Sequence, residues 1–191
     1  DYTCWHVISY NNDGTVESKQ TFQGKNDDSS WARGQAWAIY GYTACFRETN
    51  DSIFLNFAKD IANMIMDRVK TEDAIPYWDY DAPVTKETPR DVSAASVTAS
   101  AMIELSTMVP DGQKYLDYAE KILKSLSSDA YLAKVGDNQG FILMHSVGSL
   151  PNGSEIDTPL NYADYYYLEA LKRFMELKKL RVEHGELRMI Q

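Results

Sequence analysis

The segment from Asp27 to Trp37, DDSSWARGQAW, places side chains suited to sugar binding close together. Trp31, Arg33 and Trp37 lie within two turns of a predicted helix start. Indole faces stack on sugar rings, a guanidinium forms paired hydrogen bonds with a carboxylate, and helix N-termini favour anions. A site for an acidic sugar needs all three features. The same residues could instead be structural, with Trp31 in the core and Arg33 paired with a neighbouring carboxylate.

Glycosidic chemistry usually employs two carboxyl groups, one that donates a proton and one that accepts it. The sequence offers six candidate aspartates: Asp27, Asp28, Asp79, Asp81, Asp91 and Asp164. Asp28 and Asp91 are better explained as helix caps. Asp79 lies in a turn-like loop, where we expect solvent or an arginine around its carboxylate. The residues alone therefore identify no acid/base pair.

The histidines and cysteines indicate no second kind of catalytic site. His145 has no serine or aspartate at a spacing typical of a Ser-His-Asp triad. His6 lies on a predicted strand, where it could bond to a hydroxyl or relay a proton, although a lone histidine is usually structural. Cys4 and Cys45 show no CxxC or histidine spacing, so we expect buried thiols rather than a disulfide or a metal site.

The composition limits the partners of the chain. Its 191 residues, 44% hydrophobic, suffice for one domain or a large piece of a bigger one. The formal net charge of −9 disfavours nucleic acid. It leaves an anionic substrate open, because one buried arginine can outweigh a distant surface field. No apolar run approaches the roughly 20 residues of a membrane helix, and the first residues lack the features of a signal peptide. We therefore expect no membrane partner.

Apolar residues at three- and four-residue spacing predict five helices. Their predicted bounds are 28–47, 50–69, 91–110, 112–127 and 160–180, with Asn50 and Asp51 as the predicted caps of the second helix. Residues 5–24 predict a β-hairpin, because NNDG supplies turn residues between two strand-like segments, and this is the only convincing β segment. The stretch from Tyr131 to Thr158 is rich in Gly, Ser, Asn and Pro, which predicts a long functional loop.

These elements define an all-α chain with a small N-terminal hairpin. Paired helices with long loops at one end favour a helical barrel or toroid over a closed bundle. Five helices cannot close a twelve-helix barrel, so half of a barrel is expected. We assign residues 1–178 to this unit and residues 179–191 to a tail.

Four segments together resemble glycoside hydrolase family 88, the unsaturated glucuronyl hydrolases. They are DYTCWHVISYN, DDSSWARGQAW, the PYWDYDAP loop leading into RDVSAASVTASAMIEL, and YADYYYLEALKR. The resemblance spans residues 1–177. It implies an (α/α)6 barrel longer than this chain, of which the chain supplies the C-terminal half. The family's catalytic aspartates are then expected upstream of residue 1, in the missing half.

The resemblance also implies which residues bind substrate: His6, Gln23, Trp31, Arg33 and Trp37. The two tryptophans would be aromatic walls, and Arg33 would bind the substrate carboxylate. The implied substrate is an unsaturated oligosaccharide cut from a glycosaminoglycan, and the implied chemistry needs no metal or organic cofactor. The further implied partner is the missing half of the domain, and the isolated chain could self-associate. The cellular location stays open between bacterial cytoplasm and periplasm.

Two other functions stay open at this point. The related unsaturated rhamnogalacturonyl hydrolases look similar to this sequence but differ around the glutamine of WARGQAW. A non-catalytic helical module that binds carbohydrate or a protein partner would also fit, because no acid pair is present in the sequence.

Overall fold

The computed structural model describes residues 1–183. They include five α-helices: α1 Ala32–Thr49, α2 Ser52–Arg68, α3 Val92–Ser106, α4 Gln113–Leu126 and α5 Asn161–Glu183. The strands are β1 Val7–Tyr10, β2 Val16–Gln20, β3 Ser146–Ser149 and β4 Ser154–Thr158. A single 3-10 turn covers Asn138–Gly140. The all-α class is confirmed, and the helices form an open half-ring instead of a closed barrel.

Helix α3 is the centre of the helical layer. It packs against α1, α4 and α5, while α2 packs against α1. Most of its side chains are Ala, Ser, Thr or Val and are fully buried, which lets neighbouring helices approach its backbone closely. The Ser96 hydroxyl is satisfied within the helix by the Val92 carbonyl, at 2.9 Å. A central helix can therefore carry several serines without burying unpaired hydroxyls there.

The main core lies between α3 and the helices that flank it. Ile39, Ile61, Met102 and Leu116 are fully buried in it. Tyr115 is also fully buried, and its hydroxyl bonds to the Asn63 side chain at 3.2 Å. Burial of each large apolar side chain contributes roughly 1.5–3 kcal/mol. Within the described residues, no helix is both long enough and apolar enough to cross a membrane.

The start of α1 differs from the prediction. We expected DDSS to cap the helix, but its N-cap position is Trp31 and no side chain caps it, so the assignment of Asp28 as a cap is wrong. Instead, the Ala32 N–H donates to the Trp78 carbonyl at 3.1 Å. The Tyr80 N–H donates to the Ser30 carbonyl at 2.9 Å. A distant loop therefore satisfies this helix start, which no local pattern could reveal.

Of the other predicted caps, Asp51 and Asp91 agree with the structure, whereas Asn50 does not. The Asp51 side chain accepts from the Ile53 N–H at the start of α2, and Asp91 accepts from the Ser93 N–H at the start of α3. Asn50, which we expected to cap the start of α2 together with Asp51, instead closes the end of α1 in the left-handed conformation at φ 58°, so that assignment is wrong. Asn tolerates that conformation better than most residues.

The prediction of one β segment is wrong, because the long loop contains a second hairpin. β3 and β4 pair in antiparallel fashion, with a bulge between Ser146 and Val147. All four residues of β3 are buried, whereas most of β4 is exposed. The small residues of SVGS and the following Pro-Asn-Gly turn predict a loop. Tertiary contacts nevertheless make this segment a strand. The first hairpin is confirmed, with Gly14 in its turn at φ 86°.

Two further expectations concern the end of the chain and the thiols. Helix α5 continues to Glu183, inside the segment 179–191 that we assigned to a tail. Residues 184–191 lie outside the described residues, and the division at 178 stays a prediction.

Cys4 is half-buried, but Cys45 is exposed, so the expectation of a buried thiol is wrong there. Cys45 lies on the solvent side of an amphipathic helix.

Candidate functional site

The starts of α1, α3 and α5 meet β3 and the first hairpin at one end of the molecule. Arg33 is the residue that joins them. Its guanidinium is 2% exposed and forms a salt bridge with Asp91, the cap of α3, with Nη1 and Oδ2 at 2.7 Å. Nη1 also donates to the Val147 carbonyl at 2.5 Å, and Nη2 donates to the Gly148 carbonyl at 2.7 Å. The Arg33 side chain therefore links the starts of α1 and α3 to β3.

Asp91 is fully buried and fully engaged. Its Oδ2 receives Arg33, and its Oδ1 accepts from the Ser93 hydroxyl at 2.5 Å and the Ser93 N–H at 3.1 Å. A buried ion pair is tolerated only when such additional hydrogen bonds satisfy both partners. Arg33 therefore pairs with a carboxylate, as the structural interpretation of the sequence predicted.

His6 is held on the turn that follows β2. Its Nδ1 accepts from the backbone N–H groups of Phe22, at 3.1 Å, and Gln23, at 3.2 Å. A nitrogen that accepts two N–H bonds carries no proton, so the neutral ring has its proton on Nε2. Partial burial and the positive charge of Arg33 lower the pKa of His6. The ring is therefore a neutral hydrogen-bond donor near pH 7, and no described residue takes the Nε2 proton.

The Trp31 ring lies against the His6 ring and the Arg33 guanidinium on one side and the core on the other. The His6 and Trp31 ring centroids are 4.4 Å apart, and the Arg33 guanidinium carbon is 4.5 Å from the indole centroid. Trp31 is 6% exposed and packs with Trp78. A cation against an indole face is stabilised by the ring quadrupole. The histidine, the tryptophan and the arginine thus form one stacked cluster.

Gln23 connects the turn to β3. Its side-chain amide donates to the Gly148 carbonyl at 2.8 Å, the same oxygen that receives Arg33. A Cβ at Gly148 would lie 2.1 Å from Glu155 Oε2 and 2.7 Å from Glu155 Cβ, so only glycine fits beside β4 there. Two of the predicted site residues therefore share one acceptor.

Trp37 lies further along α1 and does not join the stacked cluster. It is half-buried, and its ring meets that of Tyr166 edge-on, with centroids 5.1 Å apart. Arg33 faces Tyr162 one turn earlier, at 5.4 Å. Residues four apart on α1 thus face residues four apart on α5. Of the tyrosines in YADYYY, Tyr167 is core and Tyr165 is exposed.

The candidate carboxylates have structural partners. Asp79 is fully buried: its Oδ2 accepts from the Lys25 N–H at 2.9 Å and the Ser29 hydroxyl at 2.7 Å. The expectation of solvent or an arginine around it is wrong, because loop 24–31 folds over it. Asp27 and Asp164 accept backbone N–H bonds, and Asp81 accepts from both the Ser30 N–H and Arg68. In the described chain, no two of these carboxylates are bonded to each other.

Sequence reasoning missed two residues of the site, Tyr162 and Gly148, which both contact Arg33. It named Asp79 as a candidate carboxylate but did not predict that Asp79 is buried against the loop before α1. Gly24 was a detectable signal, since a Cβ there would lie 2.6 Å from Thr21 Oγ1 and 3.3 Å from Asp79 Oδ2. A glycine before an aromatic-rich helix start indicates a close backbone approach.

A separate polar pair lies at the start of β3. His145 Nδ1 and Asp157 Oδ1 are 2.6 Å apart, and both side chains are largely exposed. No serine hydroxyl bonds to His145 among residues 1–183. The described His, Cys, Asp and Glu side chains form no cluster of three or more that could hold a metal ion.

The chain is similar in sequence to two unsaturated glucuronyl hydrolases. That of Formosa agariphila is 46% identical over 93% of this chain and 44% of its own length. That of Bacillus sp. strain GL1 is 33% identical over 91% of this chain and 47% of its own length. No protein-family model matches the chain.

Solved structures agree with these relatives. An unsaturated glucuronyl hydrolase specific for heparin superimposes with a TM-score of 0.92 at 57% identity, over 94% of this chain and 49% of that one. A Streptococcus agalactiae mutant enzyme complexed with dGlcA-GalNAc6S superimposes with a TM-score of 0.80 at 32% identity, over 91% of this chain and 47% of that one.

The half-ring of helices corresponds to part of the (α/α) barrel of these relatives, which are glycoside hydrolases. Within that class, the chain belongs to the unsaturated glucuronyl hydrolases. It spans about half the length of the curated relatives that it matches.

Proposed function

We propose that the protein containing this chain removes 4,5-unsaturated uronic acid from the non-reducing end of lyase-cut glycosaminoglycan oligosaccharides. The observation that carries this proposal is the stacked cluster of His6, Trp31 and Arg33 beside Gln23, in a chain whose relatives are named for this substrate class. One of those relatives is complexed with dGlcA-GalNAc6S. The cluster combines an aromatic surface, a neutral hydrogen-bond donor and a fixed cation, which an acidic sugar requires.

The proposed reaction hydrates the sugar's own double bond. A carboxylic acid protonates the C4–C5 double bond, water adds at C5, and the resulting hemiketal collapses and releases the neighbouring sugar. We propose that this acid lies in the part of the domain outside this chain, because every candidate aspartate except Asp28 accepts hydrogen bonds within the fold. Raising the pKa of a carboxyl by burial would keep it protonated near neutral pH.

The residues of this chain then bind and orient the substrate. The Nε2–H of His6 donates to a sugar oxygen, and the half-buried Gln23 amide provides a further polar contact. The half-buried Trp37 supplies apolar surface, and Trp31, at 6% exposed, supports the His6 ring from behind. Direct contact between Arg33 and the substrate carboxylate stays a prediction. Its observed bonds to Asp91 and β3 give it a second role, which is to hold the helix starts and the strand together.

The remaining half of the domain is the proposed structural partner. One side of α5 exposes Tyr165, Leu168 and Met175, at 60%, 51% and 68% respectively. Exposed apolar side chains at helical spacing are typical of a face that packs against a further helix. We propose that this face of α5 is covered when the barrel is complete.

The test follows the ultraviolet absorbance of the conjugated double bond in an unsaturated chondroitin disaccharide. We expect the full-length protein to abolish this absorbance and the isolated chain to leave it unchanged. Gln23→Ala should weaken turnover, while Gln20→Ala, an exposed glutamine on β2, should not. No turnover by the full-length protein would refute the proposal. Turnover of pectin-derived substrates alone would indicate a rhamnogalacturonyl hydrolase.

A further inference from the structure

A cavity lies where α2 ends and the loop before α3 begins, apart from the stacked cluster of His6, Trp31 and Arg33. Its volume is about 360 Å³, and the side chains that matter for its chemistry are Arg68, Lys70, Tyr77, Tyr80, Val84 and Arg90. We refer to it as the α2-end cavity. None of these residues belongs to the stacked cluster at Trp31.

The α2-end cavity concentrates positive charge in a protein of net charge −9. Arg68 Nη2 bonds to Asp81 at 2.8 Å, and Arg90 Nη1 bonds to Asp73 at 3.3 Å. Lys70 is exposed and has no carboxylate partner among the described residues. Three cations and no carboxylate are among the residues that line the cavity, and Asp81 and Asp73 bond to two of these cations from outside the lining. Cations on the wall favour an anionic ligand.

Both guanidinium groups are held in place with donors to spare. The Arg90 guanidinium carbon lies 4.5 Å from the Tyr77 ring centroid, and that of Arg68 lies 5.9 Å from Tyr80. Each carboxylate engages one nitrogen of its arginine, and the other nitrogens have no acceptor among the described residues. Groups fixed in this way bind an oxyanion with little loss of side-chain entropy. The tyrosine rings also provide surface on which a sugar can pack.

One extended segment borders both the stacked cluster and the cavity. Trp78 packs with Trp31, and Asp79 forms a backbone bridge with Trp31. Tyr77 and Tyr80, their immediate neighbours in sequence, line the α2-end cavity. A chain of sugars that is held at Trp31 could therefore cross this segment and place a further unit in the cavity.

We propose that the α2-end cavity binds a carboxylate or sulfate group on a second unit of an acidic oligosaccharide. The identity of the oligosaccharide rests on the proposed function, whereas the anion site rests on the geometry of the cavity. The site would strengthen the binding of longer substrates and leave the disaccharide reaction unchanged.

The test measures binding to the full-length protein by calorimetry. The probes are saturated tetrasaccharides of chondroitin 6-sulfate and of unsulfated chondroitin, which lack the reactive double bond, and inorganic sulfate. Lys70→Glu reverses the unpaired charge at the cavity. Lys121→Glu, at an exposed lysine on α4 without a described partner, is the matched control. Val84→Trp fills the cavity at a side chain that is 78% exposed, with little risk to folding.

We expect Lys70→Glu and Val84→Trp to weaken tetrasaccharide binding by about tenfold or more, and Lys121→Glu to leave it unchanged. Weakening for the sulfated probe alone identifies sulfate as the group bound, and weakening for both identifies the carboxylate. Equal affinities in all variants, or binding of inorganic sulfate alone, would overturn the proposal. If Lys70→Glu weakens binding but the disaccharide is not hydrolysed by the wild type, the proposed function fails and the anion site stands.

Discussion

Removal of the Arg33 side chain should destabilise the fold as well as reduce turnover. Arg33→Ala leaves the buried Asp91 carboxylate without its cation, and both side chains of the pair are 3% exposed or less. Breaking a buried ion pair by removal of one partner costs about 3–5 kcal/mol. The Val147 and Gly148 carbonyls also lose a donor, at about 1 kcal/mol each. Asp91 keeps its two hydrogen bonds from Ser93, which reduces the cost of leaving its carboxylate without a cation.

With the ion-pair term at the low end of its range, the expected loss of unfolding free energy is about 5 kcal/mol, which is roughly several thousandfold in the folding equilibrium. The measurement is urea unfolding of the full-length protein, followed by circular dichroism. Asp91→Asn keeps a good helix cap but removes the charge, so it should destabilise as well. The double variant Arg33→Met with Asp91→Asn should lose less than the sum of the single variants, because it buries no unpaired charge.

Kinetics separate the two roles of Arg33. Turnover of the unsaturated disaccharide by Arg33→Ala should fall by about tenfold or more, through loss of a charge-assisted contact. Arg33→Lys keeps the charge but cannot reach Asp91 and both carbonyls with one ammonium group. If the unfolding free energy of Arg33→Ala lies within about 1 kcal/mol of the wild-type value, the structural role of Arg33 is refuted. Unchanged kinetics would remove Arg33 from the substrate site.

Three further predictions concern packing, pH and association. Gly148→Ala should destabilise the protein by about 1–3 kcal/mol in thermal unfolding, because the added Cβ would collide with Glu155. Gly41→Ala, which adds a Cβ in open space on α1, should stabilise the protein by about 0.5–1 kcal/mol. The folded-state pKa of His6 is lowered, so its contribution to stability is present above about pH 6.5 and is lost as pH falls through the folded-state pKa. The melting temperatures of wild type and His6→Gln should therefore converge as pH falls below about 6.5, and parallel curves would contradict this. The isolated chain should self-associate through exposed apolar helix faces, and a stable monomer in light scattering would refute that expectation.

Much of the fold was predictable because its signals are local. Apolar side chains at three- and four-residue spacing located all five helices, and the capping oxygens of Asp51 and Asp91 marked two of their starts. The NNDG turn located the first hairpin for the same reason. The motif WARGQAW and its companion segments were sufficient to place the chain in its family.

The environment of the site residues was decided by tertiary structure alone. Arg33 and the Val147 carbonyl are 114 residues apart, and Gln23 and Gly148 are 125 apart. No pattern in WARGQAW indicates that the guanidinium faces Asp91 and a buried strand. The second hairpin was missed for the same reason, since burial against Arg33 makes SVGS a strand despite its weak β propensity. Local spacing determines which elements form, but the desolvated contacts that orient catalytic and binding groups arise only when distant segments pack together.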